Sequence, residues 1–141
     1  MFNLSCGTSH YSAAPAEAHV FRLRIPLSDG TLSAGTRPVL RVSTIARQGR
    51  TAIFVQVTKQ PKSDGEWLIG LPVEVIVNNI PGQTDLAGCV NCSSMMTLEV
   101  PAEVPNWTIS DDGFIAGKIV PALCKNYKFG ARTVERDSAL D

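Results

Sequence analysis

The sequence predicts an all-β protein: a single antiparallel β-sandwich of jelly-roll type with about eight short strands. Apolar and polar residues alternate with a period of two through most of the chain. Clusters of Gly, Pro, Asn and Asp interrupt this alternation at the spacing typical of sandwiches and barrels. No window shows the apolar period of 3.6 residues that an amphipathic helix requires. A small β-barrel and an immunoglobulin-like sandwich are the alternative folds.

The first three predicted strands show the alternation most clearly. In 20–27, apolar residues alternate with two arginines, as in a half-buried strand. The segments 38–47 and 50–60 are separated by a short loop that contains Gly49. Since a short Gly-containing connection favours antiparallel pairing, we predict that these two segments form a hairpin.

The later predicted strands are shorter and are separated by proline and by turn residues. Gly70 and Pro72 interrupt the first of them, which predicts a bulge or a sheet edge there. These predicted strands cover 66–77, 95–100, 106–109, 114–120 and 123–129.

The chain has 141 residues, 44% of them hydrophobic, which is enough for one domain with its own core. We predict a β-sandwich domain over 19–130, a flexible N-terminal arm over 1–18 and a C-terminal tail over 131–141. The arm is small and polar, and its lack of Lys, Arg and a long apolar block argues against a targeting signal. No apolar run is long enough to span a bilayer.

Charge is balanced overall, with 13 basic and 13 acidic residues, but it is polarised along the chain. Residues 1–60 hold seven basic and two acidic residues, a net charge of +5, whereas 61–124 hold two basic and eight acidic residues, a net of −6. Opposite charge on two surfaces favours association with a partner or with other copies. The predicted interface residues are Arg22, Arg24, Arg41 and Arg47 on the basic strands, and Asp64, Glu66, Glu74 and Glu99 in the acidic region. If the first two strands share a sheet, the four arginines could lie on one polar face.

Catalytic motifs are absent from the sequence. There is no nucleophile elbow, phosphate-binding Gly-rich loop, metalloprotease helix or EF-hand loop. The two histidines, His10 and His19, both lie near the N-terminus, where we expect solvent-facing side chains. Asp111 and Asp112 precede Gly113 and are typical of a turn. We therefore predict no catalytic residues and no cofactor.

The cysteines allow one metal-binding alternative. Cys89 and Cys92 form a C-x-x-C pair, and Cys6 with His10 forms a C-x-x-x-H pair. Together these four residues could bind zinc tetrahedrally, in a small zinc-binding protein or a small hydrolase. We favour the interpretation that these residues and Cys124 are buried side chains and loop thiols in a reducing compartment.

The preferred functional prediction is a non-enzymatic structural protein. Its most concrete form is a virion capsid decoration, or cement, subunit that binds a protein scaffold and its own copies as a homo-oligomer. The expected location is the virion or the cytoplasm, with no membrane contact.

Binding modules of two kinds remain as alternatives. Three N-x-[ST] sequons, at Asn3, Asn91 and Asn106, would suit an extracellular ligand-binding sandwich. An oligonucleotide-binding barrel would use the arginines for phosphate contacts. Nucleic acid is an unlikely partner because Phe21 and Phe54 do not interleave with the arginines and the pI is only about 6.7.

Overall fold

The structure, a computed structural model, describes residues 17–59, 68–72, 75–82, 85–86, 88–110 and 113–127. The strands are β1 (Ala18–Leu23), β2 (Arg37–Arg41), β3 (Thr51–Thr58), β4 (Leu68–Gly70), β5 (Val75–Val77), β6 (Cys89–Glu99) and β7 (Trp107–Ile109). They form one antiparallel sheet in the order β4-β6-β3-β2-β1-β7-β5. The all-β, antiparallel prediction is therefore confirmed for this part of the chain.

A short helical segment packs on one face of the sheet, which we call the helix face. A π-helical turn, Ile115–Ile119, runs directly into helix α1, Val120–Tyr127. Its buried side chains form one apolar core with the alternate strand residues that point to this face. The largest members of this core are Trp107, Phe114, Leu40, Ile119 and Leu123.

The prediction of strands over 114–120 and 123–129 is wrong, since the structure has the helical segment there. Ile115, Ile119 and Leu123 are spaced by four residues, so a helix places them on the same side, towards the sheet. The β-branched residues in this stretch favour a strand locally, but packing of the apolar side against the sheet outweighs that preference.

The opposite side of the sheet, which we call the aromatic face, carries a second and smaller core. Phe21 of β1, Val39 of β2 and Phe54 of β3 are buried there. The rings of Phe21 and Phe54 meet edge to face with centroids 6.2 Å apart, a favourable arrangement for two aromatic rings. Strand alternation therefore buries apolar side chains on both faces of the central strands.

The jelly-roll sandwich is not confirmed, because a jelly roll needs two facing sheets and the seven described strands share one. The predicted hairpin is confirmed as β2 and β3, although β2 ends at Arg41. It ends there because the Ser43 hydroxyl, instead of a backbone carbonyl, accepts a hydrogen bond from the Ile53 N–H at 2.8 Å. Strand β6 is longer than predicted and begins at Cys89.

Of the two predicted domain boundaries, the one after residue 18 lies within the described residues and the one after residue 130 lies outside them. Ala18, the last residue of the predicted arm, begins β1, while 1–16 and the tail over 131–141 lie outside the described residues. Among the described residues, no helix combines the length and apolar character needed to cross a membrane.

Candidate functional site

A group of cations surrounds one end of the sheet, where β1 and β3 end and β2 begins. Arg22, Arg24, Arg37 and Lys59 are all exposed there, and we call this region the basic end. Strands β1, β2 and β3 are adjacent in the sheet, so their ends lie side by side. The fold thus brings together four positive charges that the sequence spreads over almost 40 residues.

Arg37 begins β2 and Thr58 ends β3, so both lie at this end of the sheet. The β2–β3 ladder ends at the pair Val39 and Gln56, and Arg37 and Thr58 each lie two residues beyond that pair. Alternation also puts both side chains on the aromatic face, with Val39 and Phe54. A guanidinium group and a hydroxyl group therefore lie on the same face at the same end of the sheet.

Arg22 and Arg24 are held in place by the chain between β1 and β2. The Arg22 guanidinium donates from Nε to the Thr36 hydroxyl at 3.1 Å and from Nη2 to the Thr36 carbonyl at 3.3 Å. The Arg24 Nε donates to the Ser33 carbonyl at 2.8 Å. These bonds orient both groups without neutralising their charge.

The basic end has little compensating negative charge among the described residues. None of Arg22, Arg24, Arg37 and Lys59 forms an ion pair within the described part of the chain. The acid between β1 and β2, Asp29, accepts hydrogen bonds from the backbone and hydroxyl of Thr31 at 3.0 and 2.6 Å. The hydroxyl bond, and then the backbone bond, lower the pKa of Asp29. A site with this surplus of positive charge attracts anions such as phosphate.

Gly88 supports the position of Thr58. It has a φ of +112°, and a Cβ atom there would collide with the Thr58 carbonyl and crowd the Lys59 backbone. Only glycine allows β6 to begin this close to the end of β3. Gly88 therefore helps to determine the position of the Thr58 backbone, and with it the position of the Thr58 side chain.

The predicted arginine stripe is not one surface. Arg22 pairs with Pro38, so it projects from the helix side of the sheet, whereas Arg41 lies on the aromatic face. Arg41 is buried and donates from Nη1 to the Ser43 carbonyl at 2.9 Å. Arg47 is exposed in the loop after β2, at the end of the sheet away from Arg37.

The predicted acidic surface is described at only one position. Glu99 is exposed at the end of β6, whereas Asp64, Glu66 and Glu74 lie outside the described residues. The interface role of these acids stays a prediction.

The predicted zinc ligands are only partly described. Cys89 and Cys92 are both buried, and burial raises the pKa of each thiol, to about 12 for Cys92. No group of three or more metal-binding side chains occurs in the described segments. Cys6 and His10 lie outside them. Cys124 is disulfide-bonded, which corrects its interpretation as a loop thiol.

His19 also differs from its predicted role as a solvent-facing arm residue. It lies within β1, half-buried, and its Nε2 atom is 2.8 Å from the Glu17 Oε2 atom. Its side chain is on the aromatic face, four residues before the end of β1. At 3.3 Å per residue this is roughly 13 Å along the strand, too far for direct action on a group bound by Arg37.

Sequence reasoning missed Arg37 and Thr58. Arg37 stands before Pro38 at the start of a strand, and Thr58 stands two positions before the end of a predicted strand. Neither position carries a local motif. Only the strand order and the strand directions show that they lie at the same end of the sheet.

The comparisons with known proteins give information about the fold in which this site lies. No protein-family model and no curated protein matches the sequence. Among solved structures, the chain is similar to an endoribonuclease in complex with its cognate antitoxin from a mycobacterial species. The two chains are 19% identical, the match covers 84% of this chain and 98% of the other, and the TM-score is 0.50. The likeness extends over nearly the whole of that enzyme and indicates a shared fold.

This likeness corrects the functional predictions. The virion decoration function and the absence of enzymatic activity are wrong by this finding, because the similar fold is that of an endoribonuclease. The expectation that nucleic acid is an unlikely partner loses its support for the same reason. A protein partner agrees with the comparison, since the similar enzyme is bound to its antitoxin.

Proposed function

We propose that this protein is an endoribonuclease that cleaves single-stranded RNA at the basic end of its sheet. The observation that carries the proposal is the set of four exposed cations at one end of the sheet, none of which forms an ion pair in the described part of the chain. The similarity to an endoribonuclease supports it, since that fold is known to accommodate RNA cleavage. Phosphate contacts supply most of the affinity for nucleic acid, and these cations provide them.

Cleavage of RNA by this route needs little from the protein besides a correctly positioned substrate and positive charge near the phosphate. RNA carries its own nucleophile, the 2′-hydroxyl beside each phosphate. When the 2′ oxygen attacks phosphorus, the bond to the 5′ oxygen breaks, which leaves a 2′,3′-cyclic phosphate and a 5′-hydroxyl. The 2′-hydroxyl loses one proton to solvent, and the leaving 5′ oxygen takes one up. Negative charge on the phosphoryl oxygens increases during this step.

Arg37 is the residue placed to stabilise that charge. A planar guanidinium donates two parallel hydrogen bonds to a phosphate, and Arg37 has no side-chain partner among the described residues to give up first. Thr58 ends the neighbouring strand on the same face, and in the proposed complex its hydroxyl donates to a third oxygen. Fixed donors aimed at developing charge contribute about 10²–10³-fold to a rate.

The test is cleavage of a defined single-stranded RNA by the wild type, Arg37→Ala, Thr58→Val and a charge-matched control, Arg47→Ala. We expect Arg37→Ala to lower kcat about 10²–10³-fold, Thr58→Val to lower it less, and Arg47→Ala to retain wild-type activity. A substrate with a 2′-deoxy sugar at the cleaved position should resist cleavage.

Two results would contradict the proposal. Equal rates for Arg37→Ala and the wild type, after identical purification, would remove the basic end as the site. Equal cleavage of the 2′-deoxy substrate would remove the 2′-hydroxyl as the nucleophile.

The protein partner that this end fits is an acidic segment with apolar side chains. Leu27 and Leu32 are 46% and 51% exposed in the turn that follows Arg24. Exposed leucines beside uncompensated arginines match a peptide that alternates Glu and Leu. Such a synthetic peptide should inhibit RNA cleavage competitively, and Leu32→Ser should weaken the inhibition. If the peptide inhibited Leu32→Ser as strongly as the wild type, this surface would be excluded as the peptide-binding site.

A further inference from the structure

A pocket lies on the aromatic face, away from the basic end, where β1, β7 and β5 are adjacent. It has a volume of about 320 Å³ and is lined by His19, Asn78, Asn79, Val104, Pro105 and Thr108. Thr108 pairs with His19 on one side and with Ile76 on the other, so the sheet itself forms the floor. None of these residues belongs to the group proposed to contact the cleaved phosphate.

The pocket combines a rigid polar floor with an apolar wall. The Asn78 Nδ2 donates to the Thr108 hydroxyl at 2.6 Å, which holds both side chains in place. The His19 ring is fixed by the Glu17 carboxylate and by an edge-to-face contact with Phe21, with centroids 6.5 Å apart. Val104, 63% exposed, and Pro105 supply the apolar side.

Asn79 provides a free hydrogen-bonding group at this pocket. Its side-chain amide has no partner among the described residues, and its φ of 56° is a conformation that asparagine tolerates better than most residues. An amide presents a hydrogen-bond donor and an acceptor together, and this combination recognises the polar edge of a nucleic-acid base.

The charge of the pocket selects the kind of occupant. The Glu17 carboxylate lies against His19 and disfavours a phosphate at that position. A neutral planar ring with apolar faces and a polar edge satisfies the apolar wall, the imidazole and the free amide together. The volume is near the lower limit for ligand pockets, as expected for a single base with its sugar.

We infer that this pocket binds one unpaired base of the RNA strand and makes cleavage depend on the identity of that base. The inference rests on the proposed ribonuclease function. His19 and Arg37 are on the same face of adjacent strands, separated by roughly 13 Å along β1. A strand whose phosphate lies at Arg37 can therefore place a neighbouring base in the pocket, and Asn79 is its specificity-determining residue.

The experiment uses the full chain with Asn79→Gly, which removes the amide but tolerates the positive φ, and with Asn79→Asp, which keeps the shape. Gln48→Gly is the matched control, because Gln48 is an exposed amide in the loop between β2 and β3. Cleavage of an RNA library with randomised positions gives the base preference around the cleaved bond. Titration of the wild type with adenosine, guanosine, cytidine and uridine, followed by the NMR signals of His19, gives binding without catalysis.

We expect the wild type to prefer one base at a single position beside the cleaved bond. Asn79→Gly should lose about 10-fold of that discrimination, through a lower kcat/KM on RNA that carries the preferred base. Asn79→Asp should lower or alter the preference, and Gln48→Gly should retain it. The preferred nucleoside should shift the His19 signals in the wild type but not in Asn79→Gly.

The outcomes separate this inference from the proposed function. If the wild type cleaves RNA and Asn79→Gly keeps the same preference, the base pocket is wrong and the ribonuclease proposal stands. If the wild type cleaves no RNA, the ribonuclease proposal fails, and the nucleoside titration decides about the pocket. Unchanged His19 signals with all four nucleosides would then overturn the pocket as well.

Discussion

The salt dependence of RNA binding tests whether the basic end contacts phosphates, because the number of exposed cations there predicts the slope of log K against log salt concentration. If Arg22, Arg24, Arg37 and Lys59 each neutralise one phosphate, four counterions are displaced from the single strand. The slope of log K against log salt concentration should then be about −0.7 per contact, or about −2.8 in total. Affinity should fall about 50-fold between 50 and 200 mM salt.

Removing one of these cations changes the slope by a fixed amount. Arg37→Ala should give a slope of about −2.1 and a fall in affinity of about 18-fold over the same range. Arg47→Ala, with the same loss of charge at the opposite end of the sheet, should retain the wild-type slope. The probe is a 2′-O-methyl oligonucleotide, which the protein cannot cleave by the proposed reaction, and fluorescence anisotropy measures its binding.

The comparison of the two variants decides the matter. Equal slopes for Arg37→Ala and Arg47→Ala would mean that RNA responds only to the net charge of the protein. A wild-type slope near zero would mean that phosphates do not bind at the basic end, which would refute the reasoning from charge and register.

Three further predictions concern the scaffold and its thiols. Leu123→Ala removes a side chain that is 0% exposed between α1 and the sheet, and should lower the free energy of unfolding by about 2–5 kcal/mol in urea titrations; a cost below 1 kcal/mol would contradict the packing of that helix. Gly88→Ala should lower both stability and kcat, because the added Cβ meets the carbonyl of Thr58, and wild-type thermal melting and activity would contradict this. Burial raises the pKa of Cys92 to about 12 from the 9.0 of an ordinary thiol. Between pH 9 and 12 the unfolded chain therefore loses this proton first, and stability falls as pH rises; urea midpoints should fall less steeply with pH in Cys92→Ala.

Local alternation was sufficient to predict most of the strands. Segment 20–27 overlaps β1, which begins two residues earlier, and 50–60 contains β3, because buried and exposed side chains on a strand must alternate with a period of two. The same rule failed for 114–127. There Ile115 and Ile119 are compatible with either a strand or a helix, and contact with the sheet decides between them.

The candidate site was less predictable than the strands. Two of its members, Arg22 and Arg24, were selected from the sequence as part of a basic surface, together with Arg41 and Arg47. Arg41, grouped with them by charge, is buried on the other face, while Arg37 was not selected at all. Net charge over a stretch of chain cannot say which of its cations become neighbours.

The sequence by itself determined the β character of the chain, its apolar strands and its excess of basic residues in the first 60 positions. Tertiary structure alone decided that Arg37 and Thr58 lie at the same end of the sheet and that His19 pairs with Thr108, since the second pair is 89 positions apart in the chain. Alternation is a property of consecutive residues, whereas register depends on which strands pair and where they begin. That pairing minimises the free energy of the whole fold, so no single segment encodes it.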